Sequence, residues 1–178
     1  MQTFWSKGFE ATSVDDLCES TGLGRSSLYA AFGDKRALYL RALDRYEEDA
    51  ARRVAAALAG PLPIRKSIAG FLNRLIDDIV SGPGRRGCFI GNCAAELPRG
   101  DREAVNQVRR SLARVEKIFC EALKRSRAKG EIDAKSDVIA LSRHFTAGIQ
   151  GLRLMGKANP DRKVLEDIAK VMLGALDL

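Results

Sequence analysis

Apolar residues recur at three- and four-residue spacing along most of the chain, a pattern typical of amphipathic helices. The longest regular series repeats every four residues, at Leu38, Ala42, Tyr46, Ala50, Val54 and Leu58. Four further stripes with helical spacing lie within residues 64–79, 105–123, 138–152 and 165–176. Glycine or proline follows each of the first three segments, and no stretch shows strand alternation with hairpin turns. The pattern therefore predicts an all-α protein.

The N-terminal segment, residues 13–35, is predicted to contain two short helices joined by a glycine turn. Ser13 is a good N-cap, and Asp16 stands three residues later, as a capping box requires. Gly22 ends this helix, because glycine adopts the left-handed cap conformation without steric cost. The next helix is predicted to bury Leu28 and Phe32 and to expose Arg25, Ser26, Ser27 and Tyr29. A small polar helix face of this kind fits the major groove of DNA.

This segment resembles the DNA-binding domain of TetR-family transcriptional regulators. The residues that carry the resemblance keep the family's types and spacing: Gly8, Phe9, Thr12, Ser13, Asp16, Leu17, Gly22, Leu23, Leu28, Tyr29, Phe32, Lys35 and Leu38. The resemblance implies a three-helix helix-turn-helix domain at residues 1–40 and a helical effector-binding and dimerisation domain at 41–178. The family's first helix is longer than the stretch before Gly8, so we expect that the chain lacks its true N-terminus.

The resemblance also places the residues that contact DNA. The predicted set is Thr12, Ser13, Arg25, Ser26, Ser27, Tyr29 and Lys35. Arg25 and the two serines open the recognition helix, where base edges are within reach and an arginine can bind guanine bidentately. Tyr29, Thr12 and Lys35 suit phosphate contacts. The alternatives are a solvated surface charge for Arg25 and a core aromatic with its hydroxyl at the rim for Tyr29.

The last two predicted helices, at about 136–157 and 161–177, carry apolar residues on more than one side of the helix. Gly148 and Gly151 would let helices approach closely. In a TetR-like chain these helices form a four-helix dimer interface, whereas the alternative is that they cover the core of a monomer. A two-fold dimer binds a palindromic double-stranded DNA operator, with half-sites about 34 Å apart or a multiple of that.

Residues 86–97 mix small and apolar side chains with Asn92 and Glu96. This segment resembles a Gly-Cys…Ala-Glu stretch in an AcrR-like branch of the family, where a short helix lies beside the effector pocket. An apolar wall with a few polar groups suits a small-molecule effector. The predicted pocket residues are Phe71, Leu75, Cys88, Phe89, Asn92, Phe119, His144 and Phe145. The alternative is a core helix with a solvated Glu96.

Composition narrows the class of protein. A chain of 178 residues with 46% hydrophobic residues is long and apolar enough to fold around a core. No stretch approaches the ~18 apolar residues of a membrane span, and no secretory signal is visible. The four cysteines form no CxxC pair, which favours reduced thiols and a cytoplasmic location.

The net charge of +7 is unevenly distributed. Residues 1–53 carry 8 basic and 9 acidic side chains, residues 54–129 carry 15 and 7, and residues 130–178 carry 7 of each. The basic excess therefore lies outside the helix-turn-helix, and the DNA-binding prediction depends on the motif alone.

Catalytic and metal chemistry find little support in the sequence. His144 is the one histidine in the sequence, and Cys88 and Cys93, five residues apart, point to different faces of a helix. Neither arrangement suits a metal site. No metal, cofactor or catalytic residue is therefore predicted. A nucleophilic pair of either cysteine with His144 has no orienting motif. Cys88 follows two arginines and a glycine, which would suit a thiolate that senses electrophiles; a small buried hydrophobe is the alternative.

These observations together predict a homodimeric TetR-like repressor that a small-molecule effector releases from a palindromic operator. Two alternatives remain: a thiol- or electrophile-responsive regulator that senses through Cys88, and a ligand-binding dimer without a DNA function.

Overall fold

The computed structural model describes residues 1–96 and 101–177. Within these ranges the chain forms nine α-helices, two short 3-10 helices and no strand, so the all-α prediction is confirmed. The α-helices are α1 (Gln2–Lys7), α2 (Val14–Thr21), α3 (Arg25–Phe32), α4 (Lys35–Leu58), α5 (Ile64–Ser81), α6 (Phe89–Glu96), α7 (Arg102–Ala128), α8 (Val138–Ala158) and α9 (Arg162–Gly174). The 3-10 helices are Pro83–Arg86 and Ala175–Asp177. None of the helices in these ranges has both the length and the apolarity needed to span a membrane.

The chain divides into two compact units. The first comprises Met1–Asp49 and Phe89–Arg109, and the second comprises Ala50–Cys88 and Arg110–Leu178. The unit that contains the helix-turn-helix is thus larger than the predicted span of 1–40 and is built from two separate stretches of chain.

Aromatic packing explains why α6 belongs to the first unit. The Phe89 ring is almost fully buried. Its centroid lies 6.4 Å from that of Trp5, 5.5 Å from that of Tyr39 and 5.8 Å from that of Tyr46. These contacts join α6 to α1 and α4, and burial of several large rings is a major source of stability for a small unit.

The core of the second unit is built from the predicted stripes of α5, α8 and α9 with parts of α4 and α7. Two phenylalanines, Phe119 and Phe145, stack at its centre with ring centroids 5.6 Å apart, and neither is exposed. The predicted role of glycine in close helix approach is seen at Gly148, where an added Cβ would overlap Met172. Gly151 faces open space instead, and Gly156 is a close-approach position that sequence reasoning missed, because an added Cβ would overlap Ile79.

One expected core position differs in α3. Leu28 is fully buried, as predicted, but Phe32 is only half-buried. Phe32 is the last residue of α3, and the Arg41 guanidinium lies over its ring at 5.9 Å from the centroid. The ring is therefore covered partly by a charged side chain and not by the core.

Candidate nucleic-acid interface

The start of α2 is fixed by the predicted capping box. The Asp16 N–H donates to Ser13 Oγ at 3.0 Å, and the Ser13 N–H donates to Asp16 Oδ2 at 2.9 Å. Lys7 Nζ donates to the other carboxylate oxygen at 2.6 Å. The hydrogen bonds from Lys7 and then Ser13 lower the pKa of Asp16 to about 2, so the cap is charged at neutral pH.

The turn between α2 and α3 follows the predicted glycine geometry. Gly22 has φ 70°, in the left-handed region, and its N–H donates to the Cys18 carbonyl at 2.9 Å. The Thr21 hydroxyl donates to the Leu17 carbonyl at 2.7 Å. Gly24 then caps α3 through extended backbone with no side-chain acceptor. The turn is therefore stabilised by hydrogen bonds between residues that are close in sequence.

Helix α3 presents a polar face to solvent. Its exposed residues include Arg25, Ser26, Ser27 and Tyr29. Tyr29 is 42% exposed, which excludes the alternative of a buried core aromatic. Leu28, on the other side of the helix, is fully buried and fixes which face points outward.

Arg25 is engaged by a carboxylate that sequence reasoning did not identify. Its Nη2 donates to Asp15 Oδ1 at 2.7 Å and to Oδ2 at 2.8 Å, and its Nε donates to Oδ1 at 3.0 Å. Asp15 lies in the first turn of α2, so the pair ties the two helices of the motif together across the turn. Both side chains remain more than half exposed.

Thr12 and Lys35 lie together at the turn before α2. Thr12 is fully buried, and its hydroxyl donates to the Gly8 carbonyl at 2.6 Å. Lys35 Nζ donates to the Thr12 carbonyl at 2.8 Å and lies 4.5 Å from the centroid of the Phe9 ring. In this structure both side chains hold the turn in place, and their contact with phosphate stays a prediction.

Glu96, at the end of α6, also holds this turn. Its Oε2 accepts a hydrogen bond from the Phe9 N–H at 3.3 Å. Gly8 has φ 81°, and a Cβ there would lie 2.9 Å from Glu96 Oε2. Glycine is thus favoured at position 8 by its backbone conformation, and a side chain there would also displace the Glu96 carboxylate. No local pattern in the sequence signals this contact, which joins residues 87 positions apart.

The structure distributes the predicted effector-pocket residues over both units. Six belong to the second unit, and Phe89 and Asn92 belong to the first. Phe71 and Leu75 line a common cavity of about 460 Å³ in the second unit. Charged residues at its edge are Arg53, Arg74, Asp77, Asp78 and Arg153.

Other members of the predicted pocket have partners of their own. Phe119 and Phe145 stack on each other in the core. His144 is exposed, and its Nε2 lies 3.3 Å from the Met172 carbonyl oxygen. It lines a separate shallow cavity of about 320 Å³ near Ala175. Assembly of the eight residues into one site stays a prediction.

The four cysteines are all free thiols. Cys88 is buried, so it is not presented to solvent in this conformation. Burial raises the pKa of Cys93, and the Tyr39 hydroxyl is its hydrogen-bond partner. Residues 1–96 and 101–177 contain no group of three or more His, Cys, Asp or Glu side chains arranged to hold a metal ion.

Two sequence families match most of the chain. Residues 1–42 match the family described as bacterial regulatory proteins, tetR family. Residues 66–172 match the family described as tetracyclin repressor-like, C-terminal domain. The first match covers the helix-turn-helix, and the second covers α5 to α9 apart from the ends.

Individual relatives extend over nearly the whole chain. The uncharacterized HTH-type transcriptional regulator YezE of Bacillus subtilis is 29% identical, over 99% of this chain and 92% of the relative. The HTH-type transcriptional repressor ComR of Escherichia coli is also 29% identical, over 97% of this chain and 83% of the relative.

Solved structures show the same fold. A cysteine mutant of the TetR family transcriptional regulator CifR, complexed with 26-bp double-strand operator DNA, is similar with a TM-score of 0.84 and 28% identity. That match covers 96% of this chain and 90% of the CifR chain. A second CifR mutant complex with operator DNA has a TM-score of 0.86 and 27% identity, over 98% of this chain and 91% of the other.

Proposed function

The chain belongs to the TetR family of bacterial regulatory proteins, and we propose that it acts as a homodimeric repressor that a small-molecule effector releases from a palindromic operator. The observation that carries the DNA-binding part is the exposed polar face of α3, which a capped α2 and a left-handed Gly22 turn hold outward. Relatives with the same helix-turn-helix include the repressor ComR, and CifR is seen on operator DNA.

Base recognition is assigned to the first turn of α3. Arg25, Ser26 and Ser27 are exposed there, and residues at the start of a recognition helix reach furthest into the major groove. Arg25 is the residue best suited to discriminate, since a bidentate contact with guanine contributes about 1–3 kcal/mol.

Phosphate contacts are assigned to the residues around that helix. Ser13 and Tyr29 are exposed, and Tyr29 makes no side-chain hydrogen bond with other described residues, so its hydroxyl is available to a phosphate oxygen. The Ala37 amide in the first turn of α4 already donates to the Asp34 carboxylate at 2.7 Å, so the phosphate contact is assigned to side chains and not to that helix end. Lys35 and Thr12 support the same contact by holding the adjacent turn, and Lys35 also contributes its charge.

Dimerisation is assigned to α8 and α9. Eight large apolar residues are exposed among the described residues, and four of them lie on these two helices: Ile139, Leu154, Met155 and Val171. Leu154 is 68% exposed and Val171 is 76% exposed. Large exposed apolar side chains are a feature of interaction surfaces, and the small exposed residue Ala147 would let a partner helix approach.

The effector is assigned to the second unit, at the cavity that Phe71 and Leu75 share. Its volume of about 460 Å³ is within the usual range for small-molecule sites. An effector can release DNA only by binding more tightly to a dimer state whose two recognition helices no longer match the operator spacing.

The test is fluorescence anisotropy of the purified chain, and of a version extended upstream, with labelled duplexes from its own promoter region. Arg25→Ala should weaken binding to the specific duplex by about 1–3 kcal/mol and leave nonspecific binding nearly unchanged. Tyr29→Phe should weaken binding to both duplexes alike, because a phosphate contact carries no base preference. Arg110→Ala, an exposed position on α7, is the matched control.

A salt titration separates specific from nonspecific binding, because counterion release makes phosphate contacts strongly salt-dependent. Sequence-specific binding that Arg25→Ala weakens, with nonspecific binding unchanged, supports the proposal. Equal affinity of both forms of the chain for promoter and unrelated DNA would contradict it.

A further inference from the structure

The basic excess of residues 54–129 has no role in the proposed DNA interface. Part of it lies in the second unit along a groove between the C-terminal half of α4 and the middle of α7. This α4–α7 groove has a volume of about 560 Å³ and is lined by residues between Ala51 and Ala59 and between Arg114 and Arg125.

The floor of the groove is apolar. It is formed by Ala51, Ala55, Leu58, Ala59 and Ile118. Ala51 and Ala55 of α4, with Ala59 just after the helix, leave a shallow trough, because their side chains end at Cβ. Ile118 is half-buried and Ala55 and Ala59 are exposed, so this apolar surface is open to solvent.

The rim of the groove is cationic. Its charged members are Arg52, Arg114, Lys117 and Arg125, with Glu121 as the one carboxylate in the lining. Lys117 and Arg125 form no side-chain hydrogen bond or salt bridge with any other residue in 1–96 or 101–177. Neither side chain is held by a hydrogen bond or ion pair with these residues, so both can turn toward an anion in the groove.

Glu121 does not neutralise this rim. Lys124, which is outside the lining, donates to Glu121 Oε1 at 3.0 Å. That hydrogen bond, with the nearby charges of Lys117 and Arg125, holds the pKa of Glu121 below its usual range. Glu121 is thus paired with Lys124, a residue outside the lining. The basic side chains of the lining therefore still outnumber the carboxylates available to them.

From this combination we propose that the α4–α7 groove binds an amphipathic anion, a molecule with one carboxylate, sulfate or phosphate head and an apolar body. The head pairs with Lys117 and Arg125, and the body covers the floor along α4. A free inorganic anion would use the rim alone and gain nothing from the apolar floor. The volume is within the range of small-molecule sites. The proposal does not depend on DNA binding.

The test is isothermal titration calorimetry of the whole chain, without DNA, using dodecanoate below its micellar concentration. Dodecyltrimethylammonium supplies the same tail with the opposite charge, and inorganic phosphate supplies an anion without a tail. Dodecanoate should bind more tightly than either. The single variants Lys117→Gln and Arg125→Gln should each weaken it about threefold, as expected for an exposed ion pair.

Two further variants locate the site. Ala55→Leu fills the trough without a change of charge, so dodecanoate binding should weaken and the affinity for phosphate should stay the same. Arg110→Gln removes a basic side chain of α7 outside the groove and should leave dodecanoate binding unchanged. All four positions are exposed, and thermal unfolding of each variant verifies that the fold is intact.

Three outcomes would overturn the proposal. The first is dodecanoate binding that neither Lys117→Gln nor Arg125→Gln weakens. The second is equal affinity for dodecanoate and dodecyltrimethylammonium, and the third is phosphate affinity equal to that for dodecanoate. Since no DNA is present, a failure of the operator assay leaves these outcomes unaffected.

Discussion

The carboxylate of Asp15 holds the guanidinium of Arg25 by hydrogen bonds to both of its oxygens, across the turn of the helix-turn-helix. An exposed ion pair of this kind contributes little to stability, because solvent screens it. A bidentate contact with guanine contributes about 1–3 kcal/mol. Exchange of Asp15 for a guanine is therefore favourable on a matching sequence, and the pair lowers operator affinity by the free energy needed to release Arg25.

We predict that Asp15→Asn raises operator affinity, because Arg25 no longer leaves a partner when it binds DNA. Binding to unrelated DNA should rise no more than operator binding, because no base there replaces Asp15 as the partner of Arg25. Fluorescence anisotropy on both duplexes measures the change. Glu19→Gln removes another exposed carboxylate of α2 and is the matched control.

A double-mutant cycle identifies the cause. If Asp15 acts through Arg25, the gain from Asp15→Asn should disappear in the Arg25→Ala background, whereas any gain from Glu19→Gln should persist. An equal gain from both carboxylate substitutions would mean that only the overall charge of the surface matters.

Acid should loosen the start of α2. The pKa of Asp16 is lowered from an ordinary value of 3.8 to about 2 by its hydrogen bonds from Lys7 and Ser13. A carboxyl whose pKa is lower in the folded state stabilises the fold above its unfolded pKa, and this contribution is lost as pH falls through the folded pKa. The relevant window is therefore from about pH 4 down to about pH 2.

Thermal unfolding of the wild type and of Asp16→Asn over that window checks this prediction. The difference in Tm between them should be largest above pH 4 and should shrink toward pH 2. Glu19→Gln should show no such convergence. A difference in Tm for Asp16→Asn that stays constant with pH would show that the capping carboxylate is not the group that titrates.

Two glycines of α8 should respond in opposite directions to alanine. At Gly156 the added Cβ overlaps the buried, branched side chain of Ile79, and overpacking costs about 1–3 kcal/mol. The gain in helix propensity from glycine to alanine is about 1 kcal/mol, so the net effect should be destabilising. At Gly151 nothing lies within 4 Å, so the propensity gain should remain.

Thermal unfolding at one fixed protein concentration compares the pair. Gly156→Ala should lower Tm by a few degrees. Gly151→Ala should raise Tm by a few degrees at most, or leave it unchanged. A lower Tm for Gly151→Ala, growing with dilution, would instead place Gly151 at a close contact between subunits.

Charge placed on the exposed apolar face of α8 and α9 should separate the proposed dimer. Leu154→Glu and Val171→Glu each bury an unpaired carboxylate if that face is an interface, which is strongly unfavourable. Sedimentation velocity at micromolar concentration should show a dimer for the wild type and a monomer for both variants. Leu62→Glu is the control, since Leu62 is 58% exposed but lies outside α8 and α9. A wild-type monomer would contradict the dimer proposal.

The sequence predicted the features that arise within a few residues. The capping box of Ser13 and Asp16 and the left-handed turn at Gly22 join groups no more than four positions apart, so residue type and spacing determine them. The bond between Glu96 and the Phe9 N–H joins positions 87 apart and carries no local signal. The Arg25–Asp15 pair depends on how the turn directs two helices, which spacing alone does not specify.

The candidate pocket shows the same limit. Phe119 and Phe71 are both apolar residues on helix stripes, and the sequence treats them alike. In the structure Phe119 stacks on Phe145 in a filled core, whereas Phe71 borders a cavity. Whether an apolar side chain faces a neighbour or a void depends on side chains from other helices, and no single stripe contains that information.

The hydrogen bond between Glu96 and the Phe9 N–H has a consequence for chimeras in which DNA-binding domains are exchanged between regulators. A chimera that transplants only residues 1–40 leaves Glu96 behind, together with the Phe89 ring that packs on Trp5 and Tyr39. The transplanted turn would then lose its acceptor, and the aromatic cluster would be left open. The natural unit of exchange is instead Met1–Asp49 with Phe89–Arg109, so a graft that keeps the recognition helix in place must carry two separate stretches of sequence.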